Sequence, residues 1–281
     1  MSNLAPQVEQ PERRLSQPDE SVITFQDVEI AFEQPVLEGI SFHLPRGETK
    51  ILLGAAGTGK TLILKLVLGL IKPDAGRITV LGEEVTRMRE QDLFELRRKI
   101  GMVFQESALF DSLTVGENVA YRLIEETGRI TDEIHARVLE ALRFVELEHT
   151  VNKFPSELSG GMRRRVAIAR AIITQPEILL YDSPTGGLDP VTSNTIIELV
   201  VKQRDVYQTS SLLVTHRLQD AFTMASHYFD RAQNKMVPAA DGNVRDLHAK
   251  FLILRDGKII FEGTATELLL CTDPYIREYL S

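Results

Sequence analysis

No stretch of this chain is apolar for long enough to span a bilayer. Its greasiest region, residues 51–71, is interrupted by Lys60 and Lys65, whereas a transmembrane helix needs ~20 predominantly apolar residues. Any membrane role therefore runs through a partner. A single cysteine, Cys271, cannot form an internal disulfide, which fits a reducing compartment and, by default, the cytosol. A cationic surplus is also missing: 32 Lys and Arg stand against 40 Asp and Glu, a net charge of −8, which argues against nucleic acid as the main partner. Residues 1–20 are rich in Pro, Gln and Glu, without the apolar core of a signal peptide, and read as a disordered tail. The basic runs Arg97-Arg98-Lys99 and Arg163-Arg164-Arg165 read as solvated helix faces.

What the chain does have is 281 residues with 43% apolar content, enough for a real core. Its most informative stretch is Gly54-Ala55-Ala56-Gly57-Thr58-Gly59-Lys60-Thr61. An apolar strand-like run, Ile51 to Leu53, precedes it, and an apolar helical pattern, Leu62 to Leu70, follows. That context makes it a phosphate-binding loop. Glycines let backbone N–H groups curl around an anion and the helix N-terminus adds positive charge; Lys60 can neutralise phosphate oxygens and Thr61 can offer a hydroxyl to Mg²⁺.

Further along, buried-strand patterns end in polar residues. Residues 100–104 lead to Gln105, residues 178–181 to Asp182, and residues 211–214 to His216. Ligands gather at the carboxyl ends of parallel strands. Asp182 is placed to hold Mg²⁺ opposite Thr61, directly or through water. Ser159 reads as the N-cap of a helix opening with Gly160, Gly161 and Met162, which is either a second anion site or a plain cap. Asp189-Pro190 caps another helix, and Phe32 is either an exposed aromatic or a core residue. Residues 22–25 and 36–44 suggest an antiparallel lead-in sheet; residues 116–147 look helical, with Thr131 as an N-cap. A hairpin is expected around Asp256-Gly257, and residues 229–250 read as an inserted surface loop.

These motifs, in this order, resemble the ATP-binding cassette (ABC) ATPases over about residues 22–270. The resemblance implies an α/β fold: a P-loop NTPase (RecA-like), mostly parallel sheet core with an antiparallel β lead-in sheet and an α-helical insertion subdomain. It implies a nucleotide-binding domain over 21–270, with the helical subdomain at about 106–158 and a C-terminal tail at 271–281. By the same resemblance, Phe32 stacks on adenine, and the loop from Gly54 through Ala55, Ala56, Gly57, Thr58 and Gly59 to Lys60 and Thr61 holds the phosphates of ATP and Mg²⁺. Gln105 senses the metal or attacking water, Asp182 supports the metal, and His216 contacts the γ-phosphate. Ser159, Gly160 and Gly161 grip the nucleotide bound by a partner protomer, and Asp189 links the two sites.

Met162, the residues after Gln105, and the tail with Asp273-Pro274 look like the Mla/Mce-type phospholipid-transport ATPases. That likeness implies a homodimer on the cytoplasmic face of the inner membrane. It would work with an integral-membrane permease and a lipid-binding protein of the mammalian-cell-entry (MCE) domain type, with no nucleic acid. An importer of small polar solutes is the alternative. One position departs from the pattern: Ser183 follows Asp182 where the family carries a glutamate. A serine hydroxyl orients water but is no base near neutral pH, and a lost general base costs ~10²–10⁴ in rate. Slow hydrolysis is therefore expected; the other readings are pairing with a different ATPase subunit that supplies a glutamate, and an ATP-gated clamp of little turnover.

Overall fold

The computed structural model describes residues 21–239 and 249–280; the disorder expected for residues 1–20 lies outside them. The lead-in sheet is antiparallel, built from β1 (Ser21–Ala31) and β2 (Pro35–Pro45), and later from β4 (Ala75–Val80) and β5 (Glu83–Glu84). Both first strands run longer than their apolar cores suggest, because register shifts at Phe25/Val28 let polar turns interrupt the pairing without ending it. Between them in sequence lie β3 (Thr49–Leu53) and α1 (Lys60–Val67). Then come α2 (Glu90–Arg98), as charged as its sequence requires, and β6 (Ile100–Val103).

The helical insertion consists of two helices. α3 (Val115–Thr127) ends at Gly128, whose φ of 74° is the left-handed cap a glycine adopts without strain, and α4 (Asp132–Phe144) starts afresh. Thr131 is the N-cap of α4, accepting from Ile134 N at 3.2 Å. Next follow α5 (Gly160–Ile172), β7 (Ile178–Asp182), α6 (Pro190–Tyr207), β8 (Ser210–Val214) and α7 (Leu218–Ser226).

In residues 229–250 a surface loop was expected; instead, β9 (His227–Asp230) and β10 (Lys235–Pro238) form an antiparallel hairpin. It is pinned to α6, with Phe229 N donating to Asp205 Oδ2 at 2.7 Å and Met236 N to Glu198 Oε1 at 2.9 Å. Residues 240–248 of that insertion lie outside the described residues. After it, β11 (Ala249–Arg255) and β12 (Lys258–Gly263) form the expected hairpin across Asp256-Gly257, followed by α8 (Ala265–Leu270). The C-terminal stretch is also more than a tail: α9 (Pro274–Leu280) buries Ile276 to 1% exposure.

The central sheet has the order β12-β11-β3-β8-β7-β6, parallel from β11 through β6. Successive residues of its strands feed opposite faces, as a pleat demands. Ile51, Leu53, Leu179, Tyr181, Leu213 and Phe251 pack towards the helical insertion, α5 and α6. Leu52, Leu180, Leu212 and Leu252 pack towards α1 and the lead-in sheet. A sheet covered on both faces explains why every residue of β3, β7 and β8 is buried, even Thr49, Lys50, Ser210 and Ser211, and why residues 51–53, 178–181 and 212–214 are apolar without a break. Each such side chain contributes about 1.5–3 kcal/mol on burial. Among the described residues no helix is long and apolar enough to cross a membrane.

Candidate functional site

In space β8 sits between β3 and β7, although it is formed last of the three in sequence. The carboxyl ends of β3, β8, β7 and β6 therefore lie side by side and release, in that order, the loop 54–61, His216, Asp182-Ser183 and Gln105. The register is tight at these ends: Thr215 N donates to Leu52 O at 3.1 Å, and Ser183 N to Val214 O at 2.8 Å.

Within the loop, Gly57 and Gly59 have φ of 79° and 93°, conformations that favour glycine. Gly54 is required for space, since a Cβ there would lie 2.5 Å from Leu254 O of β11. Lys60 is buried and its Nζ donates to Gly54 O at 2.9 Å and Ala55 O at 2.6 Å, so the ammonium sits inside the loop's curve. Thr58 Oγ1 donates to Ala55 O at 3.0 Å. The N-terminus of α1 has Gly59 as its cap and no side-chain acceptor, leaving backbone N–H groups for an anion.

Thr61 Oγ1 donates to Asp182 Oδ1 at 3.1 Å, joining the start of α1 to the end of β7. Burial pushes the Asp182 carboxyl above the usual aspartate range, while the Thr61 hydrogen bond and the Lys60 charge act against that. Burial likewise lowers Lys60, opposed by Asp182. The two oppositely charged groups thus lean on each other in a desolvated corner, where an added divalent cation and polyphosphate would each find a complement.

Phe32 is 66% exposed, in the turn joining β1 to β2. That turn leads to Val36 and Leu37, which lie against Gly59. Gln105 is exposed just beyond β6, and its Cγ and Nε2 lie 3.5 Å from where a Cβ on Gly186 would be. His216 is exposed at the end of β8. Ser183 is buried and left-handed, with a φ of 45°.

Ser159, Gly160 and Gly161 stand apart from this group. Ser159 Oγ accepts from Met162 N at 3.2 Å, Gly160 faces Leu188, and a Cβ on Gly161 would strike Thr192 Cγ2 of α6 at 2.4 Å. None of these neighbours belongs to 54–61. The exposed N-terminus of α5 and Asp189, the N-cap of α6 that accepts from Val191 N and Thr192 N at 3.0 Å, instead share one edge of the molecule.

The sequence reading missed the arginines beneath these loops. Arg164 was expected on a solvated face but is 5% exposed, with its guanidinium under Phe104, Ser183 and Gly186. Arg165 is half-buried and donates to Val145 O at 3.0 Å. Helical spacing could have flagged Arg164, since Ile168 and Ala171, one and two turns on, are both buried.

The ABC transporter family profile matches residues 37–186. The chain is 36% identical over 278 residues to the protein TRIGALACTOSYLDIACYLGLYCEROL 3, chloroplastic, of Arabidopsis thaliana, covering 95% of this chain and 76% of that protein. It is 33% identical over 245 residues to the intermembrane phospholipid transport system ATP-binding protein MlaF of Escherichia coli K12, covering 87% and 82%. Among solved structures, a dimeric ATP-binding cassette in a post-hydrolysis state, bound to ADP and Pi, gives a TM-score of 0.72 at 29% identity, over 86% of this chain and 98% of that one. A glycine loop at the end of β3, a carboxylate beside its threonine and this breadth of similarity lead to one conclusion: the chain belongs to the ABC transporter family.

Proposed function

We propose that this chain is the ATP-binding and ATP-hydrolysing subunit of a transporter that moves phospholipid, working as a dimer against an integral-membrane permease on the cytoplasmic face of a membrane. The observation that carries the nucleotide half of this reading is the contact of Thr61 Oγ1 with Asp182 Oδ1 beside a buried Lys60. The names of the two relatives, one of them a phospholipid transport ATP-binding protein, support the lipid half. An MCE-type lipid-binding protein belongs to the same proposal.

The donor set suits magnesium. A hydroxyl and a carboxylate are hard oxygen ligands. Among the described residues no cluster of three His, Cys, Asp or Glu could cage a metal alone, which fits an ion that arrives with the nucleotide's phosphates. When bound, Mg²⁺ would neutralise charge developing on the transferred phosphoryl group. Lys60 and the N–H groups of 57–61 would bind the phosphates, and Phe32 would stack on the base. Gln105 and His216, released from flanking strands, would orient water and the terminal phosphate. Ser183 can hold a water by hydrogen bonding but cannot take its proton.

Ser159, Gly160 and Gly161 would close over the nucleotide of a second copy, with Asp189 beside them at the junction. Closure with ATP and opening after hydrolysis would move the permease through the surface around Gln105 and the helical insertion.

Phosphate release by the complex purified from membranes tests this. The native complex is expected to release phosphate slowly, and Lys60→Ala to fall at least about a hundredfold in kcat/KM. Release no faster than Lys60→Ala, with MgATP still bound, would favour the second reading that Ser183 raises, an ATP-gated clamp. Absence of any integral-membrane protein and of phospholipid from the purified complex, read by mass spectrometry, would sink the transport assignment.

A further inference from the structure

The mechanism above leaves α5 with one task, presenting Ser159 to Gly161 across the dimer. Its buried side carries a second feature. Arg164, five residues beyond Ser159, sends Nη1 to Phe104 O at 3.1 Å and to Ser183 O at 3.4 Å, and Nη2 to Gly186 O at 3.3 Å. Six residues further on, Arg170 donates Nη1 to Ala108 O at 2.8 Å and Nη2 to Ser107 O at 2.9 Å. One rigid helix therefore grips the backbone on both sides of Gln105, at Phe104 and at Ser107-Ala108, and also the turn that carries Ser183.

The gripped segments include residues under backbone strain. Ser107, Ala108 and Ser183 have left-handed φ of 67°, 47° and 45° without being glycine, conformations that persist only where surrounding contacts enforce them. From the opposite side Arg217, the neighbour of His216, donates Nη1 to Ser193 Oγ at 2.7 Å and to Thr185 O and Leu188 O at 3.4 Å. Asp220 accepts from Thr185 Oγ1 and lies 3.5 Å from Arg217 Nε. The carbonyls of Ser183, Thr185, Gly186 and Leu188 thus all face a guanidinium. Stability alone is a poor explanation for burying Arg164. Its desolvation is costly, and its Nε finds no partner.

We propose that Arg164 is a positioning residue that ties α5 to the hydrolytic half of its own site, so that the helix expected to read the partner's nucleotide also sets the backbone at Gln105 and Ser183. Because Ser183 supplies no base, rate depends on how well water is oriented, and orientation is what a bracket on Phe104, Ser183 and Gly186 fixes. Arg217 braces the same turn against His216. This rests on the proposed ATPase function.

The test compares Arg164→Met and Arg164→Lys with the native transport complex. Arg164→Met is expected to lower kcat about tenfold or more while KM for MgATP stays within about twofold, with Arg164→Lys between them. Hydrogen–deuterium exchange without nucleotide should speed up at the Gly186 and Leu188 amides, which donate to Ser183 O at 2.9 Å and Thr185 O at 3.1 Å within the turn. Native kcat in Arg164→Met, native exchange at those amides, or kcat and binding falling together would overturn the proposal. If Arg164→Met does not fold, Arg164→Lys decides on the same readouts. A native complex that releases no phosphate sinks the ATPase reading instead, and the exchange measurement then decides for Arg164 by itself.

Discussion

Ser183 combines two unfavourable choices: no carboxylate, and a left-handed backbone that a branched or bulky residue resists. Its N–H donates to Val214 O, and its carbonyl accepts from Gly186 N at 2.9 Å and from Arg164. Only the hydroxyl is left for chemistry. Ser183→Gly is expected to raise unfolding free energy by about 0.5–1 kcal/mol in urea titrations, since glycine adopts this φ freely, and to slow phosphate release. Gain of stability with unchanged rate would strip the hydroxyl of any part in orienting water. Ser183→Glu should accelerate release by about 10², the lower end of what a general base supplies; a rate no higher than native would show that this turn cannot aim a carboxylate at water.

Close approach of backbones matters more than any single loop at the scale of elements. Gly101 of β6 would, with a Cβ, stand 2.5 Å from Ala171 O of α5 and 2.6 Å from Leu179 Cδ2. Gly101→Ala is accordingly expected to destabilise the protein by about 1–3 kcal/mol, measured as a shift of the urea midpoint at constant slope. Elements of this central kind were legible in the sequence. Residues 178–181 of β7 and 212–214 of β8 are unbroken apolar runs because both faces are covered, and Gln105, Asp182 and His216 could be found as the polar residues beyond the apolar stretches of β6, β7 and β8. Asp189-Pro190 announced α6. The same chemistry at Asp273-Pro274, where Asp273 Oδ1 accepts from Tyr275 N at 2.9 Å and Ile276 N at 3.1 Å, starts α9. Its sequence reads as a tail because the helix is short and only Ile276 is fully buried, with Tyr275, Tyr279 and Leu280 packed partly buried against the core. The hairpin β9–β10 was hidden for a different reason. Its inward residues, Phe229 and Met236, are too few to set a period of two, and it is held by carboxylates of α6, which no local pattern encodes. Arg164 was hidden by its neighbours, since a run of three arginines looks like a wetted face until the helix is seen to turn one of them inward.

For the whole molecule, the proposed function makes the site a property of two copies, because Ser159–Gly161 stand apart from loop 54–61 within one chain. Protomers carrying Lys60→Ala and protomers carrying Ser159→Arg should each be inactive as homodimers. Mixed, they should regain roughly a quarter of native turnover, because half of the dimers are hybrid and each hybrid keeps one of its two composite sites whole. No recovery on mixing, with exchange of protomers verified by mass, would mean that each chain completes its own site. Chain order adds a constraint on synthesis. The strand that closes the phosphate loop from outside is β11, whose Leu254 carbonyl leaves Gly54 room for hydrogen alone, and it is made some two hundred residues after the loop it walls. During synthesis the phosphate loop consequently stays unwalled until β11 is made and pairs beside β3, and ATP can contribute to folding only from that point.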